Sequence, residues 1–346
     1  MDVGKARNIV QKWITENVSL AKNYKGAYFS GSVLDWAEDI EVPDTSDIDV
    51  MVVIDTEEEA PPKLGKFVYK EVLIEVTYMS SKQLASFQAV LGNYHLASSF
   101  RKNGIINDPT GYLSELQSAI QQQFAKRASV ERRCQHAFDR IHDGLTQRDL
   151  QAPLHEQVTS WLFPTSIATH AILAAALRNP TTRTRYLAAR KTLEEYGHLA
   201  IYDEILSLLG ASQLTAQRAQ YHLDQLAVTF DKAAEVGVTP FLFSSDITSC
   251  ARKISIDGSR ALILNGDHRE AVFWIAATFA RCHAILSADA APAVQQAHLP
   301  AFEALLADLG IQSILDLASR SREALQLLPA LKATTNAIIE SNRFIN

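Results

Sequence analysis

Residues 29–55, FSGSVLDWAEDIEVPDTSDIDVMVVID, gather the side chains best suited to chemistry. Gly31 and Ser32 follow a short apolar run, and Asp47 and Asp49 stand in another, with Ser46 just ahead of them. A strand interior does not accept unpaired carboxylates, since burying one charge costs on the order of several kcal/mol. Side chains alternate along a strand, so Asp47 and Asp49 share one face while Ile48, Val50 and Val52 take the other. Glu75, set between Ile74 and Val76, repeats the arrangement further along. If the two strands are neighbours, three carboxylates converge and raise one another's pKa values. A divalent cation removes that conflict, and hard oxygen donors select Mg²⁺ or Mn²⁺ over zinc. The competing reading is three solvated acids on a half-exposed sheet.

Gly31 and Ser32 supply a complementary feature. Glycine at a strand end permits close backbone approach, N–H groups entering a following helix favour an anion, and the Ser32 hydroxyl adds a donor. A phosphate nest beside carboxylates that hold metal suits the transfer of a nucleotidyl or phosphoryl group. In such sites two ions about 3.5–4 Å apart serve the attacking and leaving oxygens.

These residues need a sheet to position them. Residues 3–20 carry a helical stripe with Asp2 as its N-cap. GAYFSGS reads as a strand ending in a glycine turn, and DIDVMVVI as a second strand. DTEEEAPPKLG is a loop, and KFVYKEVLIEVTYM gives one or two strands, with Val72, Ile74 and Val76 on one face. Ser80 or Ser81 caps a helix over residues 82–100, GIINDPTG is extended, and another helix starts near Tyr112. From residue 128 the period is helical over 128–143, 154–178, 181–197, 214–236, 266–286 and 312–340. Breaks are expected at GLTQRDLQAP, RNP, LGAS and ADAAPAVQQAHLP. The expected fold class is α+β: a small mixed-sheet domain over 1–125, then a larger all-helical region over 126–346, which a break near 240 or 290 would divide into two bundles.

Composition narrows the partners. The 346 residues are 47% hydrophobic and 21% charged, as in ordinary globular proteins. The net charge of −6 sits in the first 125 residues, with 11 Lys and Arg against 17 Asp and Glu; the remainder holds 22 of each. No basic stripe is present, which argues against a long nucleic acid, while an acidic surface suits a cationic small substrate. Three dispersed cysteines, Cys134, Cys250 and Cys282, argue against a disulfide framework and for a reducing cytoplasm. The longest apolar runs, AILAAAL and AVFWIAATFA, are short of a bilayer span, so no membrane partner is expected. No sequence feature specifies an oligomeric state.

FSGS, then SDIDV, then IEV near residue 75 resembles the signature of the DNA polymerase β-type nucleotidyltransferase superfamily. The likeness covers residues 29–77, extends more weakly to about 125, and is greatest to the antibiotic (aminoglycoside and lincosamide) nucleotidyltransferases and their bacterial relatives. It implies Gly31 and Ser32, with Ser46 beside them, as the nucleotide-binding residues, and Asp47, Asp49 and Glu75 as catalytic metal ligands. It also implies an NTP co-substrate, with ATP the expected donor, and a small hydroxylated acceptor such as an aminoglycoside-like polycation, so that the activity would confer antibiotic resistance. Enzymes that make nucleotide signals, or that nucleotidylate RNA or protein, share this core, and a non-catalytic nucleotide-binding module is the alternative from another class. Glu131, Asp139, Asp143 and Glu156 are candidates for a general base, although each also reads as a solvated helix-face charge. Arg101 and Lys102 are candidates to reach the triphosphate, Asp108 reads as a turn residue, and His170 as a core histidine.

Overall fold

The computed structural model describes residues 1–58, 61 and 63–346. The 55–65 loop includes Glu59, Ala60 and Pro62, which lie outside the described residues. Helix α1 (Val3–Asn17) starts where Asp2 accepts a hydrogen bond from the Lys5 N–H at 2.8 Å, so the N-cap expected from sequence forms. Strands β1 (Tyr24–Ser30), β2 (Ile48–Ile54), β3 (Gly65–Tyr69), β4 (Val72–Ser80) and β5 (Ile105–Asn107) build one mixed sheet of order β3-β4-β2-β1-β5. Only β2 and β4 run parallel; the other neighbours are antiparallel. KFVYKEVLIEVTYM is therefore two strands, joined at Lys70 and Glu71, both of which have positive φ as a tight hairpin turn requires.

Alternation gives the sheet two different faces. Val50, Val52, Ile74 and Val76 are buried in one apolar cluster with Val3, Ala6, Val10 and Ile14 of α1. The opposite face carries Val53 and Met79 under short helices α2 (Phe87–Gly92), α3 (Tyr94–Phe100) and α4 (Tyr112–Gln123). Those helices cover one end of that face. The other end, where the acids lie, is turned toward the helical region.

Residues 82–100 do not form the single helix expected. Ser80 caps a short 3₁₀ turn over Ser81–Leu84, Ser86 caps α2, and Asn93 ends α2 and caps α3. Three side chains that accept from backbone N–H groups interrupt one apolar period, the competition expected of Ser and Asn. The helical region contains α5 (Arg127–Thr146), α6 (Leu154–Ala175), α7 (Arg185–Glu195), α8 (Ala200–Leu209), α9 (Ala216–Val236), α10 (Gly258–Leu264), α11 (His268–Asp289), α12 (Pro292–Asp308) and α13 (Ile314–Ser341). One apolar cluster runs through it from Val130 to Ile339. Helices α8 and α10 are short and were not anticipated. Helix α12 occupies much of the segment read as a break, because Pro292 is tolerated in the first helical turn and Pro300 lies inside the helix. Helix α11 is 22 residues long and, among the described residues, is the one helix long and apolar enough to cross a bilayer; 78% of its apolar window is buried by the rest of the chain. Its length exceeds that of the apolar run read from sequence because the helix continues through flanking polar residues.

Ile74 is fully buried between α1 and the sheet. Ile74→Ala is expected to cost about 2–5 kcal/mol in urea unfolding, with an unchanged denaturant slope.

Candidate active site

Strand register brings the acids together. Asp49 of β2 pairs with Ser30 of β1 on one side and with Glu75 of β4 on the other. Asp47 stands one residue ahead of β2 rather than within it, yet keeps the same facing. Carboxylate oxygens of Asp47, Asp49 and Glu75 all lie within 4.8 Å of one another, and among the described residues no other group of His, Cys, Asp or Glu converges so closely. The reading of three solvated acids does not fit this convergence.

Gly31 sets the edge of the cluster. Its φ is +67°, and a Cβ there would lie 2.1 Å from Asp49 Oδ2, so both conformation and space demand glycine. The chain continues from it as a four-residue 3₁₀ turn, Gly31–Leu34, where the sequence suggests a following helix. The contribution of this turn to an anion is that of a few backbone N–H groups and not of a helix dipole. Ser30 and Ser99 hydroxyls share a hydrogen bond of 2.9 Å behind this turn, while the Ser46 N–H closes a turn onto Pro43 O at 2.9 Å. Ser32 and Ser46 both line the cavity into which the acids face, a space of about 600 Å³ between the sheet and the helical region.

The sequence did not reveal the cation at the centre. Lys66, on β3 directly opposite Glu75, places Nζ 2.6 Å from Glu75 Oε2, 3.2 Å from Asp47 Oδ2 and 2.6 Å from Asp246 Oδ1. Asp246 comes from the loop before α10 and is also held by Arg281 of α11 at 2.9 Å. Arg281 in turn lies over the rings of Phe163, Phe243 and Trp274. Lys63 reaches Glu75 Oε1 at 3.4 Å. A lysine between Gly65 and Phe67 in a strand was a usable signal for Lys66; Asp246 offered none, because its role depends on tertiary contact.

Burial opposes the Lys66 ammonium, but Asp47, Asp246 and Glu75 outweigh it and raise its pKa above the ordinary lysine value. Asp246 is held below the usual carboxylate range despite burial, by Lys66 and Arg281. Asp49 behaves oppositely. Burial, with the charges of Asp47 and Glu75, pushes its pKa well above the ordinary value, and burial also raises that of Asp47 against the pull of Lys66. Among the described residues Asp49 has no cation within ion-pair distance, and the charge of Lys66 offsets only part of the shift. A half-buried carboxylate with no ion pair, next to two more carboxylates, is a donor set that fits a hard divalent cation, and the three acids could hold a metal ion.

Other candidates fall elsewhere. Glu131, Asp139, Asp143 and Glu156 are exposed on helix faces, and none lines the cavity. Arg101 and Lys102 both bind Asp35, the latter at 2.8 Å, and stay outside the cavity. Asp108 accepts from the Ser114 N–H at 2.8 Å as a turn residue, and buried His170 bonds Thr181 O at 2.9 Å.

Because the folded pKa values of Asp47 and Asp49 lie above the ordinary 3.8, the folded protein binds more protons than the unfolded chain above that pH. Stability in EDTA is therefore expected to fall as pH rises from about 4 through the folded pKa values. Asp49→Asn should flatten that slope and stabilise the metal-free protein at neutral pH by on the order of 1 kcal/mol, measured by denaturant unfolding across pH. Lys66→Met should have the contrary effect, costing about 3–5 kcal/mol by removing the cation that Asp47, Glu75 and Asp246 share, with Mn²⁺ restoring part of the loss in thermal melts.

No protein-family model matches the chain, and no curated protein matches it.

Proposed function

We propose that this chain is a metal-dependent nucleotidyltransferase of the DNA polymerase β type, moving an NMP from an NTP, ATP being the expected donor, to a hydroxyl of a small molecule. The observation that carries the proposal is the convergence of Asp47, Asp49 and Glu75 from two adjacent parallel strands, beside a glycine turn and facing a cavity. Asp47, Asp49 and Glu75 would hold Mg²⁺ or Mn²⁺, which supplies Lewis acidity to the acceptor hydroxyl and neutralises phosphate charge.

The chain's own residues do the rest. Gly31 leaves room for the Asp49 carboxylate at the turn, and the Ser32 hydroxyl, which lines the cavity, would donate to a phosphate oxygen. Lys63 and Lys66 offset charge on the Glu75 side. Trp36 and Trp274 give the cavity flat apolar surfaces. In the reaction the acceptor oxygen bonds the α-phosphorus, the bond from that phosphorus to the bridging oxygen breaks, pyrophosphate leaves, and the hydroxyl proton passes to solvent.

One observation favours a second reading, a nucleotide-binding module without turnover: Lys66 already bonds two of the three acids. The two readings separate in one assay. Pyrophosphate release from ATP or GTP with Mg²⁺, across a panel of hydroxylated acceptors, is expected for the wild type and should drop at least about 100-fold in Asp47→Asn and Asp49→Asn. Nucleotide binding without release across the panel would establish the binding module instead.

A further inference from the structure

The cavity has a charge pattern that bears on the acceptor. Its acids, among the described residues, are Asp47, Asp49, Glu75 and Asp246. Three form the proposed metal site, and Asp246 is spent on Lys66 and Arg281. The acids that make the N-terminal third negative, such as Asp35, Glu38, Asp39 and Glu41, do not line it. A polycation entering here would meet no free carboxylate.

Cations present the opposite case. Arg183 lines the cavity, and among the described residues no carboxylate lies within ion-pair distance of it, although the charge of Asp47 reaches it; its Nη2 donates to Thr45 O at 3.3 Å. The guanidinium lies flat against Gly258, where a Cβ would stand 2.8 Å from Nη1 and 3.0 Å from Cζ, so the glycine makes room for it. Two residues on, buried Arg185 also has no carboxylate partner among the described residues. It stacks 4.2 Å over Phe273 and donates to Ser166 Oγ at 2.6 Å and Thr182 O at 2.8 Å. Arg185 does not line the cavity, whereas Arg183 is a cavity guanidinium held by packing with no carboxylate in ion-pair contact, and it can receive an anion because it offers planar paired donors to phosphate or carboxylate.

We infer that Arg183 receives an oxyanion, phosphate or carboxylate, carried by the acceptor, so that the acceptor class is an anionic hydroxyl compound and not a polycation. This rests on the nucleotidyl-transfer reading and runs opposite to what net charge alone suggested. The same chemistry could come from the triphosphate, and the test separates the two sources.

Inorganic phosphate is titrated calorimetrically into the full chain, first alone and then with Mg²⁺ and a non-hydrolysable ATP analogue at saturation. Spermine serves as the polycation probe. The expected result is phosphate binding that persists with the analogue present, weakens at least about tenfold in Arg183→Ala and in Gly258→Ala, and is partly retained in Arg183→Lys, with circular dichroism unchanged. Spermine should bind no better to the wild type than to Arg183→Ala. Phosphate binding abolished by the analogue would assign Arg183 to the triphosphate and overturn the inference. So would the absence of phosphate binding, its indifference to Arg183→Ala, or its displacement by spermine. Failure of pyrophosphate release with phosphate binding intact would count against the reaction and leave the oxyanion site standing.

Discussion

The parallel pairing of β2 with β4 sets a carboxylate directly against a carboxylate, Asp49 against Glu75, and the surrounding structure answers that repulsion. Like charges on directly opposed residues destabilise a sheet. Here a third acid joins them, and the outer strand β3 brings Lys66 to the cluster from the far side. The lysine can satisfy Asp47 and Glu75 but leaves Asp49 to the glycine turn. The site is therefore partly neutralised by the chain, and its three acids could hold a metal ion besides.

That arrangement explains features of the helical region that packing alone does not. Helix α11 is apolar along most of its length and runs through the core, yet carries Arg281 among three aromatic rings. Its guanidinium fixes Asp246, and Asp246 fixes Lys66. A charge in a core helix is costly unless paired, and this one is paired with the residue that completes the acid cluster. The two parts of the chain meet through a relay of alternating charges at the base of the cavity.

Much of this was legible in the sequence. Strand alternation placed Asp49 and Glu75 correctly, and the glycine before Ser32 marked a turn that tolerates no side chain. The sheet's two strands at 65–80 and most long helices follow from periodicity. What escaped has physical causes. Ser80, Ser86 and Asn93 break a continuous apolar period by bonding local backbone, and prolines at 292 and 300 looked like stops although one begins a helix and the other lies within it. Asp246, Arg183 and Arg281 have no common spacing. Their relation exists only once distant segments pack, so no local pattern announces it.

The Lys66 contacts also differ in how far they reach along the chain. Glu75 is 9 residues from Lys66, whereas Asp246 is 180 residues away. Loop closure over the shorter separation is fast and entropically cheap, and the hairpin that provides it is a local structure. During synthesis the sheet can thus emerge with its own counter-ion in place, long before α11 is made. The acids need not wait unshielded for the second half of the chain, and Asp246 arrives to share a lysine that has already done its first task.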